Sequence, residues 1–372
     1  MRNTARSPMA PNANLPTLPL LEVTNLGLRH LSMTGPLTIL SDVSFSLQRG
    51  EILGIIGESG AGKSTIGNAI LGLLAPGIQQ FAGTIAIDGV ELDPAQDPGG
   101  RIMRKKISAV FQDHTASLDP LMCVGAQITE TIIAHAPKTT AREAHKRALE
   151  LLGRVGIPDP ERRYRHFPHQ FSGGQRQRAV IAMALAGSPD LIIADEPTSA
   201  LDATVQKQIL QLLRTLVNET GISVILVTHD MGVVAEVTDR VLVMRMGKVI
   251  EDRATTDLLE QPAEDYTREL LSAVPRLRLT PSRATETDPN SQLASKITVT
   301  RPREDDAVLS VHGIGKTFPS RGLSFVARRG QGIPRHALAE VSIALPRGAI
   351  SGIVGESGSG KTTGVSQILL VN

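Results

Sequence analysis

One short phrase of this sequence occurs twice: "GIIGESGAGKST" ending at Thr65 and "GIVGESGSGKTT" ending at Thr363. In the first, Gly57, Gly62, Lys63 and Ser64 satisfy G-x-x-x-x-G-K-[ST], with Ser59, Gly60 and Thr65 completing the loop. Glycines let backbone N–H groups close around phosphates, and the helix N-terminus that follows favours negative charge. The pattern assigns Lys63 to β- and γ-phosphates and the Ser64 hydroxyl to Mg²⁺. In the second phrase Gly355, Ser357, Gly358, Gly360, Lys361, Thr362 and Thr363 hold the matching places, with Thr362 on the metal side. A chance match in a chain of this composition is on the order of one in a hundred, so two together argue against ordinary glycine turns. Each loop is expected to bind a nucleoside triphosphate.

Such a loop needs a buried strand before it and a helix after it. "EILGII" at Glu51–Ile56 is a short apolar run suited to a buried strand, and helical composition runs from Lys63 to Leu74. "TIAIDGVEL" places Asp88-Gly89 between apolar pairs, a hairpin signal. From Leu121 to about Tyr164 the character is helical: Thr140 and Glu143 form a capping box, followed by Ala144, Ala148, Leu151, Leu152 and Val155 at helical spacing. "LIIAD" and "ISVILVTHD" read as buried strands separated by a helix carrying Ile209, Leu210, Leu213 and Leu216. That alternation predicts an α/β fold with a largely parallel sheet and an inserted helical subdomain.

Composition narrows the setting. The chain has 372 residues, 41% hydrophobic and 20% charged, with a net charge of +2. That is ordinary for a globular protein and gives no whole-molecule field toward nucleic acid, so no nucleic-acid partner is expected. The single cysteine, Cys123, excludes an internal disulfide and fits a reducing, intracellular setting. Residues 1–19 are rich in proline and polar residues, lack the apolar middle of a secretory signal, and read as a disordered tail. No apolar run approaches the roughly 18 residues needed to cross a bilayer. Any membrane part must come from another chain.

Three further motifs carry chemistry. The apolar strand "LIIADEP" delivers Asp195 and Glu196 to its C-terminal edge, where α/β sheets place ligands. Asp195 is expected to hold Mg²⁺, and Glu196 to orient or deprotonate the attacking water. Ser172, Gly173 and Gly174 in "QFSGGQRQR" lead into another helix and form a second backbone cradle. His229 stands after a buried strand in "VTHD".

The order of these pieces strongly resembles the ATP-binding-cassette (ABC) family from about Leu20 to Arg276. The phosphate loop is followed by a glutamine loop at Gln112 in "AVFQD", a signature at Phe171–Gln175 and the strand ending at Glu196. The "SALD" segment at Ser199–Asp202 and the switch histidine His229 come next. The resemblance implies a P-loop NTPase fold with a mostly parallel core sheet, an antiparallel β subdomain and an inserted α-helical subdomain. It also implies ATP as nucleotide, catalytic places for Gln112 and His229 beside Glu196 with His229 at the γ-phosphate, Mg²⁺ with Gln112 among its ligands, and contacts to ATP from Gln175 and Asp202. Two cassettes then face each other head to tail, each ATP lying between the phosphate loop of one and the signature of the other. "FQDHTASLDP", "FPHQFSGGQRQR", "EPTSALDATVQKQIL" and "AEDYTRELLSAVPRL" narrow the likeness to the peptide/nickel-type importers. That branch implies membrane permease subunits, a separate solute-binding protein, and a cytoplasmic position on the inner face of the membrane. There are departures: His30 stands where an aromatic usually stacks on adenine, His114 where proline is common, and Phe171 where leucine is usual.

Leu277–Asp306 is polar and proline-punctuated and reads as a linker. After it the pattern restarts: "VLSVHGIGKTF" echoes "LLEVTNLGLRH", and Gly355 follows Gly57 after roughly 300 positions, one domain plus a linker rather than a solenoid period. Phe318 holds the adenine-stacking place. The expected organisation is a tail (1–19), a complete cassette with an importer-type extension (20–276), a linker (277–306) and the N-terminal fragment of a second cassette (307–372). The second copy reads as cut short, by gene truncation, frameshift or choice of the expressed piece. Lys361 would then lack carboxylates of its own, and hydrolysis is expected to need two chains. The expected function is an ATPase subunit energising uptake of peptides, glutathione or nickel complexes. The alternatives are a soluble cassette ATPase remodelling ribosomes or nucleic acid, and a chain that binds ATP without turnover.

Overall fold

Alternate residues of the short apolar strands face two large cores in the larger part of this protein, and a third, smaller cluster gathers around Ile56, Val241 and Val243. The computed structural model describes residues 18–32, 35–92, 105–113, 116–199, 201–273, 307–318, 335–348, 350–355 and 358–369. Most of the expected tail, the whole expected linker, His114 and Ser357 lie outside these residues. The contacts group the chain into two units, the larger reaching Arg276 and the smaller running from Leu277 and taking in Asp202–Thr204.

In the larger unit six strands lie in the spatial order Lys248–Ala254 (β10), Arg240–Arg245 (β9), Ile52–Ile56 (β3), Ser223–Val227 (β8), Leu191–Asp195 (β7) and Ile107–Val110 (β6). β9, β3, β8, β7 and β6 are mutually parallel, and β10 is an antiparallel edge. β3 and β8 are buried throughout, which is why both read as unbroken apolar runs. Ile52, Ile192, Val224 and Leu226 face a core shared with the helices Val124–His135, Ala141–Arg154 and Gly173–Ala186. Leu53, Ile55, Ile193, Ile225 and Val227 face the other way, against the helix Lys63–Leu71 and a second sheet.

That second sheet is antiparallel, in the order Gly35–Leu47 (β2), Leu21–Ser32 (β1), Ile78–Ile87 (β4) and Val90–Glu91 (β5). The expected hairpin joins β4 to β5, with Asp88 and Gly89 both left-handed at φ 51° and 74°. The capping box is formed: the Glu143 N–H donates to Thr140 Oγ1 at 3.3 Å and the Thr140 N–H to Glu143 Oε2 at 2.9 Å. Ala144, Ala148, Leu151 and Leu152 are buried as their spacing predicts. The helix after the phosphate loop ends at Leu71 rather than Leu74, because Gly72 turns left-handed at φ 66° and closes it. Among the described residues no helix is long and apolar enough to cross a membrane.

The C-terminal end of this unit is anchored by one buried carboxylate. Glu251 on β10 accepts from the N–H groups of Ala263 and Glu264 at 2.8 and 3.3 Å and from Thr267 Oγ1 at 2.6 Å. Burial would raise its pKa, but these hydrogen bonds and Arg253 outweigh it and hold it below its ordinary value of 4.5. A depressed carboxylate contributes stability above the unfolded pKa and loses it as pH falls. Glu251→Gln should therefore destabilise the chain at pH 7 by about 1–3 kcal/mol. In thermal melts across pH, the gap from wild type should narrow below 4.5.

In the smaller unit Ala307–Phe318 (β11) pairs antiparallel with Arg335–Pro346 (β12), and a helix spans Lys361–Leu369. The apolar run before its glycine loop forms no strand: residues 351–355 are irregular, and Ile350 and Val354 are fully or nearly fully exposed. In the larger unit the same run is gripped between β8 and β9. Among the described residues of the smaller unit no strand flanks it.

Candidate functional site

The phosphate loop leaves the end of β3 and enters the helix Lys63–Leu71, as its spacing requires. Two of its glycines have walls that forbid a side chain. A Cβ on Gly57, at φ 149°, would meet the Met244 carbonyl oxygen at 2.2 Å, and one on Gly62, at φ 98°, would meet Leu40 Cδ2 at 2.5 Å. Lys63 is buried, and its Nζ donates to the carbonyls of Gly57 at 2.8 Å and Glu58 at 2.9 Å. Burial lowers its pKa, opposed by the charges of Glu196 and Asp195. The ammonium thus lies folded onto its own loop.

β7 delivers the carboxylates. Asp195 is hydrogen-bonded to the Ser64 side chain; burial raises its pKa, the Glu196 charge adds to this, and Ser64 and Lys63 oppose it. Glu196 follows in a left-handed conformation at φ 45°, its N–H donating to Val227 O at 2.9 Å. One of its carboxylate oxygens accepts from Gln112 Nε2 at 2.9 Å, and the other lies 2.7 Å from His229 Nδ1. Three residues that the sequence scatters over more than a hundred positions thus meet at one carboxylate. The Ser64 hydroxyl and Asp195 carboxylate form an oxygen pair beside Lys63, a donor set that suits Mg²⁺.

The signature lies in the other core. Ser172 caps the helix Gly173–Ala186, with the Gln175 N–H donating to its Oγ at 3.3 Å. Phe171 is buried among the helices, with the Arg163 guanidinium 5.6 Å from its ring centre, whereas Ala61 and Ile66 belong to the core on the opposite face of the sheet. A phenylalanine at this place therefore serves as an anchor for the helical layer. Gly173 opens the helix, and a Cβ on Gly174 would lie 2.4 Å from Val205 Cγ1. His30, on β1, has its ring beside Gly77, where a Cβ would lie 3.1 Å from Nε2. Asp202 groups with the smaller unit and precedes the helix Ala203–Thr220.

In the smaller unit, Phe318, His336, Gly355, Gly358, Gly360, Lys361, Thr362 and Thr363 line one open pocket. Lys361 Nζ donates to the Gly355 carbonyl, repeating the turn-back of Lys63. Sequence reasoning missed the Met244 and Leu40 walls, which no local signal marks. It also missed a contact from the far end of the cassette: the Glu58 N–H donates to the Tyr266 hydroxyl at 3.2 Å.

A glycine-rich loop between a parallel strand and a helix, with carboxylates at the end of a nearby strand, defines a P-loop nucleotide-binding domain. The family model described as ABC transporter matches residues 40–199. The dipeptide transport ATP-binding protein DppD of Bacillus subtilis is 45% identical over 271 residues, covering 72% of this chain and 81% of that protein. The oligopeptide transport ATP-binding protein OppD of Mycobacterium tuberculosis is 46% identical over 260 residues, covering 70% of this chain and 42% of that protein. This chain thus spans less than half the length of the mycobacterial relative. The peptidoglycan transport ATP-binding protein YejF of Agrobacterium fabrum is 40% identical over 349 residues, covering 93% of this chain and 60% of its own length. Among solved structures, the dimeric post-hydrolysis state of the ATP-binding cassette MJ0796 bound to ADP and Pi is similar. It shows 32% identity and a TM-score of 0.56, covering 63% of this chain and 98% of that one. This chain belongs to the ATP-binding cassette family and carries its nucleotide-binding fold.

Proposed function

We propose that this chain is the ATP-hydrolysing subunit of an importer for peptides or related solutes such as glutathione or nickel complexes. The observation that carries this reading is the Glu196 carboxylate held between Gln112 and His229, beside the Asp195–Ser64 pair and Lys63. The relatives named for dipeptide and oligopeptide transport support the substrate class.

Lys63 turns from its loop carbonyls to the β- and γ-phosphates, while the loop N–H groups and the helix dipole hold the remaining phosphate charge. Ser64, Asp195 and Gln112 would hold Mg²⁺, which would supply neutralising charge for the phosphates. Glu196 accepts a proton from the attacking water, and His229 and Gln112 fix the carboxylate's orientation. Ser172, Gly173, Gly174 and Gln175 offer a cradle to the terminal phosphate held by a facing cassette. Asp202 lines that junction, and His30 stacks on adenine. Residues 20–276 form the complete cassette, 277–306 a linker, and 307–372 the start of a second cassette, in which Phe318, Ser357, Lys361, Thr362 and Thr363 repeat the nucleotide contacts. The match to YejF across both copies supports this division. The partners are integral permease subunits and a solute-binding protein, and the chain works at the inner face of the membrane.

The test is uptake of labelled dipeptides, glutathione and nickel by cells lacking this protein, paired with its isolation from detergent-solubilised membranes. Loss of uptake of one of these solutes, with a permease co-purifying, is expected. Unchanged uptake of all three together with sedimentation on ribosomes would overturn the reading.

A further inference from the structure

We infer that Tyr266 is a positioning residue of the nucleotide site, so that the helix Asp265–Ser272 forms part of the frame of the phosphate loop. Its substitution tests a contact that phosphate-loop chemistry alone does not require.

The phenol is buried, and its ring packs in a cluster with Ile56, Met231 and Val243, directly beneath the point where β3 becomes the loop. The Arg245 guanidinium lies 4.6 Å from the ring centre and closes that side. The hydroxyl accepts from the N–H of Glu58, 208 positions earlier and the second residue of the loop. The same helix is also tied down by the neighbouring Thr267, which is fully buried and bonded to Glu251.

Glu58 is held at both of its backbone polar groups. Its N–H is held by Tyr266, while its carbonyl accepts from Lys63 Nζ at 2.9 Å and from the Ala61 N–H at 3.1 Å. These restraints behave differently when nucleotide arrives. Lys63 Nζ must share its three donors with a phosphate, which weakens its hold on the Glu58 carbonyl, whereas the Tyr266 hydroxyl keeps its bond. The loop therefore depends on Tyr266 more in its nucleotide-bound form than in its free form. A contact that matters more in one state shifts the equilibrium toward that state, so the hydroxyl favours ATP binding. The inference rests on the proposed role of Lys63 at the phosphates.

The experiment is Tyr266→Phe in the full chain, with Thr267→Val as the comparison that loosens the same helix but keeps the hydroxyl. Three quantities are measured: ATP affinity by equilibrium dialysis, amide hydrogen exchange over residues 57–60 without nucleotide, and the melting temperature. Tyr266→Phe is expected to weaken ATP binding by roughly three- to ten-fold and to speed exchange at Glu58. Its melting temperature should stay within about 2 °C of wild type, and turnover at saturating ATP within about twofold. Thr267→Val is expected to lower the melting temperature and to weaken ATP binding less than Tyr266→Phe does. Unchanged affinity and unchanged Glu58 exchange in Tyr266→Phe would overturn the inference, as would an equal loss of affinity in Thr267→Val. If the wild-type chain bound no ATP, the proposed function would fail, and exchange at Glu58 would still decide whether Tyr266 holds the loop.

Discussion

Replacing Glu196 with Gln should leave ATP bound and cut its turnover by roughly 10²- to 10⁴-fold, the range that general-base catalysis supplies. The substitution keeps the shape of the side chain and an oxygen for the Gln112 amide, which donates to the native carboxylate at 2.9 Å. What it removes is an acceptor for the proton of the attacking water. It also removes a negative charge next to Asp195 and Lys63, whose titrations both respond to Glu196. That charge repels the γ-phosphate, so affinity for ATP should hold or tighten. His229→Ala should cost less, since His229 orients the carboxylate without accepting the proton itself. Single-turnover phosphate release, read beside equilibrium ATP binding, separates the two effects. Phosphate release by Glu196→Gln at the wild-type rate would remove Glu196 from the role of base.

The parts of this molecule legible in its sequence are those whose signals are local. β3, β7 and β8 declared themselves as short apolar runs because they are buried on both faces. Thr140 and Glu143 announced a helix start, and Asp88-Gly89 a hairpin, because each motif closes its own hydrogen bonds within a few residues. The residues of the site were legible through their motifs, but their convergence on one carboxylate was not, because Gln112, Glu196 and His229 arrive on three different segments. The Met244 and Leu40 walls and the Tyr266 hydroxyl escaped for the same reason. The repeated phrase makes the limit plain. "GIIG" is a buried strand and "GIVG" an exposed irregular stretch, although their local chemistry is nearly the same. Strands β8 and β9, far along the chain, make the difference, and a run of four residues carries no record of them.

Two inactive variants should restore each other when mixed. Lys63→Ala removes the ammonium that meets the phosphates, and Ser172→Glu puts a carboxylate where the signature would receive one. Each alone is expected to lose nearly all turnover, and Ser172→Glu should still bind ATP because its own phosphate loop is intact. The reason is architectural. Within one cassette the phosphate loop is anchored through Ala61 and Ile66 on one face of the central sheet, and the signature through Phe171 on the other. On the proposed reading, a signature cradle so placed receives a phosphate presented by a second cassette. In a two-fold dimer of the two variants, the intact loop of the Ser172→Glu chain faces the intact signature of the Lys63→Ala chain. One site of the two is then complete. Random pairing of equal amounts makes about half the dimers mixed, so turnover should recover to on the order of a quarter of wild type. The recovery should fall on dilution, since it depends on association. A mixture as inactive as its components, with both variants folded and the Ser172→Glu chain binding ATP, would mean that the signature at Ser172 does not complete the ATP site of a facing chain.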